Sequence, residues 1–63
     1  MKVYVMTKFK PFGKEEYVGV KGSQKEAVKA LRQLFPHMRG DAERGFSADA
    51  TNELLLRIRE EEI

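Results

Sequence analysis

The sequence contains no cysteine, and this absence excludes several classes of small protein. Without thiols there is no disulfide framework, which is the usual support of secreted mini-proteins, and no thiolate to bind a metal or act as a nucleophile. We therefore expect a cytoplasmic protein without a metal site. The single histidine, His37, has no second histidine and no recognised ligand spacing near it, which favours a position in a surface loop.

Long apolar runs are also missing. The first apolar stretch, residues 3–6, is much shorter than the core of a signal peptide. No segment approaches the roughly 20 apolar residues that cross a bilayer, so we expect no membrane partner. With 63 residues, of which 41% are hydrophobic and 35% charged, the chain suits a single small domain spanning residues 1–63.

The sequence shows no familiar catalytic arrangement. It has no convincing serine–histidine–acid or cysteine–histidine set, and no pair of carboxylates where burial would separate their pKa values. We expect a protein that is not an enzyme and that needs no cofactor. Gly22 and Ser23, beside Lys21 and Lys25, offer free amides for an anion, but a plain helix cap explains the same residues because no Walker A or GxGxxG spacing is present.

Charge is distributed unevenly along the chain. The net charge is +2, but residues 1–33 carry eight Lys and Arg against three Glu, a balance of +5. The remaining thirty residues carry four Arg against seven acids, a balance of −3. This asymmetry favours either a basic face that binds a polyanion or two opposite surfaces that bring copies of the chain together.

Two strands are predicted before the helix. In residues 2–9 the odd positions are β-branched or aromatic, which is the period of a half-buried strand, and a second strand follows over residues 15–21. Between them, Lys10-Pro11-Phe12-Gly13 has proline and glycine where a type I turn favours them. A register that sets Val5 opposite Val20 puts the β-branched residues on one face. The odd positions of the first strand are therefore predicted to form the core.

A helix is predicted to begin after Ser23. Ser23-Gln24-Lys25-Glu26 has the residue types of a capping box, and apolar residues follow at helical spacing. Pro36 ends the helix because the residue before a proline is pushed out of the α region. Three cations form a stripe opposite the apolar residues: Lys25, Lys29 and Arg32.

The C-terminal part combines weaker patterns. Residues 36–44 predict a polar loop, residues 45–48 a short strand, and residues 49–52 a turn. Residues 53–59 fit a strand or a helix, and the glutamates that follow favour a strand because they would oppose the negative end of a helix. The predicted fold is α+β: a small antiparallel β-sheet in the order β-β-α-β-β, with one helix packed on one face and with a helix as the alternative for the last element.

One helix covers one face of a sheet, so the other face is free to bind. On that face we expect Tyr4 opposite Lys21 and Tyr17 opposite Lys8, with Phe12 at the turn tip. Rings stack on bases and cations neutralise phosphates, so this pattern predicts a module for single-stranded nucleic acid. The candidate residues are Tyr4, Lys8, Lys10, Phe12, Lys14, Tyr17, Lys21, Lys25, Lys29 and Arg32.

Other interpretations stay open. Tyrosine and lysine on an exposed strand also satisfy β propensity and protect a sheet edge, and a cationic stripe on a helix is often only a solvated face. The same face could instead bind protein, either a larger partner for which the chain is an adaptor or inhibitor, or a second copy. In the homodimer, Tyr4, Met6 and Leu55 would lie in the interface, and the basic half of one copy would meet Glu60–Glu62 of the other.

Overall fold

The computed structural model describes residues 1–41, 44–49, 51 and 53–63. In chain order they form β1 (Lys2–Phe9), β2 (Glu16–Lys21), α1 (Gln24–Leu34), β3 (Arg39–Asp41), β4 (Gly45–Ser47) and β5 (Leu55–Glu62). The strands make one sheet in the order β2-β1-β5-β4-β3, and each neighbouring pair is antiparallel. The predicted α+β class, a sheet with a helix on one face, is confirmed.

The ends of α1 agree with the prediction. The backbone N–H of Glu26 donates to Ser23 Oγ at 3.2 Å, and Ser23 has extended dihedral angles, as an N-cap residue should. At the other end, the N–H of Phe35 donates to the carbonyl of Leu31 at 2.7 Å, and a proline follows. Ala27 and Leu31 are fully buried, so this side of the helix faces the sheet. No helix in the described part of the chain is long and apolar enough to cross a membrane.

The core lies between α1 and one face of the sheet. Met6 of β1 and Leu56 of β5 are 3% and 2% exposed and belong to one buried cluster with Leu31 of α1. Side chains alternate between the two faces of a strand, so the even positions of β1 and β5 face the helix. The odd positions lie on the other face, which no described helix or strand covers; we call it the uncovered face. The remaining buried apolar side chains are Ala27, Met38, Phe46 and Ala48.

This orientation of β1 is the reverse of the predicted one. The odd positions were expected in the core, whereas Met6 occupies the core and Tyr4 packs against it. The register with β5 explains the difference, because it sets Met6 opposite Ile58 and Thr7 opposite Arg57. β1 has apolar residues at both odd and even positions, whereas β5 alternates apolar residues with arginines. β5 therefore determines which face of the sheet meets the helix.

The register between β1 and β2 changes within β2. Val5 lies opposite Val20, as predicted. Beyond that point the register shifts by one residue, so Val18 has no partner and Tyr17 lies opposite Thr7 instead of the predicted lysine. An extra unpaired residue of this kind is a β-bulge. The bulge turns Tyr17 to the uncovered face, together with Val20.

The connections between elements follow the prediction in part. The N–H of Gly13 donates to the Lys10 carbonyl at 2.9 Å, which closes the predicted turn after β1. Residues 45–48 contain β4, and the strand interpretation of the last segment is confirmed by β5. The loop predicted over residues 36–44 is wrong where β3 lies, because three exposed residues show no period that could reveal a strand.

Parts of two predictions lie outside the described residues. The loop over residues 36–44 includes Ala42 and Glu43, and the turn over residues 49–52 includes Ala50 and Asn52. Within the described part of that turn, the N–H of Thr51 donates to Asp49 Oδ1 at 2.9 Å. Such a contact from a short acidic side chain to the backbone two residues on is typical of an Asx turn.

Candidate functional site

The uncovered face gathers cations that are widely separated in the sequence. β5 contributes Arg57 and Arg59, and β3 contributes Arg39. Arg44, which immediately precedes β4, borders both this face and a cavity on the helix side that Tyr4, Gln24 and Ile58 line. All four come from the half of the chain that has a net negative charge. β3, β4 and β5 are neighbours in the sheet, so the fold collects these arginines in one region.

A groove of about 540 Å³ lies among them. Arg39, Arg44 and Arg57 line it together with Phe9 and Leu55, and the backbone of β4 forms another part of its wall. No carboxylate occurs among the described lining residues. We call this feature the arginine groove, and it combines positive charge with aromatic and aliphatic surface.

Arg57 lies over the ring of Phe9 within this groove. Its guanidinium carbon is 5.1 Å from the ring centroid, which is within the range of a cation–π interaction. Phe9 is opposite Leu55 and Thr7 is opposite Arg57, so Phe9 and Arg57 are diagonal neighbours on one face. The Arg57 side chain remains 54% exposed, so its guanidinium is still accessible to a ligand.

A single carboxylate approaches two of the arginines at the margin of the arginine groove. One oxygen of Glu15 is 3.8 Å from Arg57 Nη1, and the other is 3.8 Å from Arg59 Nη1. Arg59 also pairs with Glu61 at 2.9 Å between Nε and Oε1. The long distances to Glu15 at this exposed site indicate weak pairing that a stronger anion can displace.

On the other side of the arginine groove, the described residues form no ion pair. Among the described residues, Arg39 and Arg44 have no carboxylate within ion-pair distance. The backbone N–H of Arg44 donates to Asp41 Oδ1 at 2.7 Å, so this contact leaves the Arg44 guanidinium uninvolved.

Beyond the arginine groove, β1 and β2 contribute apolar side chains to the uncovered face, whereas β5 contributes Arg59 opposite Val5 and Glu61 opposite Val3. Val3 and Val5 are half-buried, and Val20, opposite Val5, is 44% exposed. Tyr17 is 67% exposed and lies opposite Thr7, which is itself only 4% exposed. In the described part of the chain, Thr7 Oγ1 has no hydrogen-bond partner. The face therefore offers an accessible tyrosine ring in the same row as Arg57.

The predicted binding residues do not share one surface. Tyr4, Lys8 and Lys21 lie on the helix side of the sheet, where Tyr4 packs against the core. Lys8 Nζ is 3.8 Å from Oε2 of Glu16, which is the residue opposite Lys8 on β2. Tyr17 lies on the uncovered face. The predicted facing of Tyr17 and Lys8 is wrong because the bulge shifts the register between them.

The other six predicted residues are exposed: Lys10, Phe12, Lys14, Lys25, Lys29 and Arg32. Phe12, at 104% exposure, projects fully from the turn after β1. Lys10 and Lys14 border a shallow cavity that they share with Phe9 and with Lys8, Glu16 and Leu54, which lie toward the helix side of the sheet. The three cations of α1 belong to the layer on the opposite side of the sheet. The structure thus separates the helix stripe from the uncovered face.

The residues expected in a homodimer interface are also divided. Met6 is in the core and Tyr4 packs against it, so Leu55 is the member of that set on the uncovered face. The C-terminal glutamates are paired within the chain. Their partners are Lys2 at 3.0 Å from Glu60, Arg59 at 2.9 Å from Glu61, and the Met1 amino group at 3.2 Å from Glu62.

Sequence reasoning missed the arginine groove, although one pattern pointed to half of it. Leu56 and Ile58 alternate with Arg57 and Arg59, so a strand here must place both arginines on one face. Nothing in the sequence indicated that Arg39 would join them, because β3 was not predicted.

Two described groups have a displaced pKa, and both lie outside the arginine groove. The hydrogen bond to Glu60 raises the pKa of Lys2. The hydroxyl and backbone N–H of Thr51 lower the pKa of Asp49 by donating to its carboxylate. No group of residues that could hold a metal ion occurs in the part of the chain that the structure describes.

No family model, curated protein or solved structure matches the chain. Function must therefore be inferred from what the uncovered face can do chemically. Guanidinium groups donate forked hydrogen bonds to phosphate oxygens, and both aromatic rings and guanidinium planes stack on bases.

Proposed function

We propose that the protein binds single-stranded nucleic acid across the uncovered face of its sheet. The observation that carries this proposal is the arginine groove, in which three arginines surround Phe9 and Leu55. Proteins that bind single strands combine a cationic track for the phosphates with rings on which the bases stack. The uncovered face has both features side by side.

The surroundings of each residue suggest its role. Arg39 and Arg44 contact phosphates, because among the described residues no carboxylate neutralises them. Arg57 is held by the Phe9 ring and presents its guanidinium plane to a base. Tyr17 supplies a second stacking surface, since its ring is 67% exposed on the same face. β2 and β5 flank β1, so Tyr17 and Arg57 are separated by two strand spacings, roughly 10 Å.

The turn after β1 extends the proposed interface. Lys10 and Lys14 are exposed and share a shallow cavity with Phe9, so they add two cations next to the Phe9 end of the arginine groove, although Glu16 borders the same cavity. The helix stripe is left out of the interface, since α1 lies on the other side of the sheet. This differs from the sequence prediction, in which the hairpin and the helix formed one basic surface.

Fluorescence anisotropy with a labelled single strand of about 12 nucleotides tests the proposal. Affinity should fall linearly with salt on a double logarithmic scale, because bound phosphates release counterions. In the double variant Arg39→Ala/Arg44→Ala we expect binding at least about tenfold weaker and a salt slope smaller by about 1.4, which corresponds to two lost phosphate contacts on a single strand.

The matched control removes the same charge from α1. Lys25→Ala/Lys29→Ala should bind within about twofold of the wild type, because these lysines lie off the uncovered face. No binding by the wild type at low salt contradicts the proposal. An equal loss in both double variants also contradicts it, since net charge alone would then explain binding.

A protein partner on the same face is the second candidate function. It is favoured by the apolar side chains that β1 and β2 place on this face, Val3, Val5 and Val20. The partner is then either a second copy stacked face to face or a larger protein. Failure to bind the oligonucleotide, together with a dimer in light scattering that Val5→Asp disrupts, would favour this candidate.

A further inference from the structure

We propose that two copies of the chain pair edge to edge through β2, antiparallel and related by a two-fold axis. β2 is the first strand in the sheet order, with β1 on one side and no described strand on the other. An unpaired edge strand is a template for another strand. The residues of β2 make a second copy the occupant that fits this edge.

The sequence of β2 is complementary to itself when reversed. If Glu16 of one copy lies opposite Lys21 of the other, then Tyr17 falls opposite Val20. The two-fold axis repeats both pairs. Opposite charges, and an aromatic residue facing a β-branched one, are favourable cross-strand pairs. Charge complementarity therefore selects both the partner and the register.

The bulge at Val18 makes this register possible. Residues directly opposite one another must share a face, and in a regular strand Tyr17 and Val20 lie on opposite faces. With the bulge, both face odd positions of β1 and so lie on the uncovered face. By the same shift, Glu16 and Lys21 share the helix side. An edge bulge usually discourages pairing, but this one aligns the two copies.

The side chains concerned are available for pairing. Tyr17 and Val20 are 67% and 44% exposed, and a second β2 would cover part of both. Lys21 has no ion pair with any residue that the structure describes. Within the described residues, the ion pair of Glu16 is the 3.8 Å contact with Lys8. The second copy would thus supply a partner for a cation and shield two apolar side chains.

The arrangement has a consequence for the whole molecule. Opposite residues share a face, so both helices lie on one side of a continuous sheet and both arginine grooves lie on the other. Two grooves on one surface would allow one long strand to contact both copies. Pairing through β2 itself does not depend on the proposed function.

Charge reversal tests the register. Sedimentation equilibrium of the wild type between about 5 µM and about 1 mM should show a monomer–dimer equilibrium. Glu16→Lys and Lys21→Glu each place like charges opposite one another twice, and each should weaken the dimer by about tenfold or more. The double variant Glu16→Lys/Lys21→Glu restores opposite charges and should return to within about threefold of the wild type.

Two features make this test specific to β2. The contact between Lys8 and Glu16 is lost in both Glu16→Lys and the double variant. Its loss therefore cannot explain why the dimer is restored in the double variant alone. Glu53→Lys makes the same charge change away from the edge and should leave the dimer unchanged. The oligonucleotide titration is repeated on Glu16→Lys, so that loss of the dimer is measured separately from loss of groove binding.

A second measurement uses the wild-type chain and does not depend on the folding of any variant. In a mixed sample of isotope-labelled and unlabelled chains, we expect intermolecular nuclear Overhauser effects between the Tyr17 ring and the Val20 methyl groups. A monomer at about 1 mM, or a dimer unaffected by either charge reversal, would overturn the pairing through β2.

Discussion

Arg57 lies over the ring of Phe9 on the uncovered face, with 5.1 Å between the guanidinium carbon and the ring centroid. They lie near opposite ends of the sequence and meet because β1 and β5 are neighbours in the sheet. A free arginine loses side-chain entropy when it is immobilised by a ligand. The contact with the ring favours one orientation of Arg57 before a ligand binds, so we expect Arg57 to contribute more to binding than its charge alone.

The first prediction separates the contribution of the flat guanidinium of Arg57 to binding from the contribution of its charge. Arg57→Lys keeps a cation but loses the flat guanidinium, so oligonucleotide affinity should fall about fivefold with an unchanged salt slope. Arg57→Ala should lower the affinity further, because the cation is lost as well as the flat guanidinium. Arg32→Lys and Arg32→Ala on α1 are the controls and should have little effect. Wild-type affinity in Arg57→Lys would exclude a stacking role.

The second prediction concerns the carboxylate at the margin of the arginine groove. Glu15 lies 3.8 Å from both Arg57 and Arg59 and competes with a phosphate for them. Glu15→Gln should therefore strengthen oligonucleotide binding by about threefold in the anisotropy assay. Glu26→Gln makes the same change on α1 and should have a smaller effect. If both substitutions strengthen binding equally, Glu15 acts only through the net charge.

The features that the sequence predicts correctly depend on local chemistry. Ser23 and Glu26 are three residues apart and define the start of α1, and Pro36 defines its end. The turn after β1 likewise depends on residues within one short segment. In β5, the alternation of apolar residues with Arg57 and Arg59 is strong enough to indicate a strand.

The features that the sequence leaves undetermined depend on distant residues. Residues 2–9 have apolar side chains at both odd and even positions, so β1 alone does not specify which face of the sheet meets the helix. Its pairing with β5 sets that choice, and it also reverses the predicted positions of Tyr4 and Phe9. The bulge at Val18 and the three-residue β3 have no local pattern, so the position of Tyr17 and the arginine groove could be found only in the structure.

The third prediction concerns a buried hydroxyl on the uncovered face. Thr7 Oγ1 is buried, and the described residues offer it no hydrogen-bond partner. Removing an unsatisfied polar group while keeping its shape is stabilising, so Thr7→Val should raise the free energy of unfolding by about 1 kcal/mol. The measurement is urea unfolding at neutral pH.

Thr51→Val is the matched control for this substitution. The hydroxyl of Thr51 donates to Asp49 at 2.5 Å and accepts from the Glu53 N–H at 3.4 Å, so its loss should lower the stability. We therefore expect the two substitutions to change the free energy of unfolding in opposite directions. A destabilised Thr7→Val would show that the hydroxyl has a partner in solution.

The last prediction compares two glycines in the β3–β4 hairpin. Gly40 and Gly45 have φ angles of 111° and 91°, which L side chains rarely adopt, so alanine is unfavourable at both positions. Only at Gly40 would the new Cβ also collide with a backbone atom, the carbonyl oxygen of Gly45; at Gly45 the space is open. We expect Gly45→Ala to cost about 1 kcal/mol and Gly40→Ala at least about 2 kcal/mol more in urea unfolding.

The same comparison tests how the hairpin supports the arginine groove. A collision at Gly40 must move β3 away from β4, and Arg39 moves with it. Under conditions in which both variants remain folded, Gly40→Ala should therefore weaken oligonucleotide binding more than Gly45→Ala, with a reduced salt slope. Equal stability of the two variants would mean that β3 adjusts without strain, and unchanged binding in Gly40→Ala would show that Arg39 does not need the hairpin to reach the ligand.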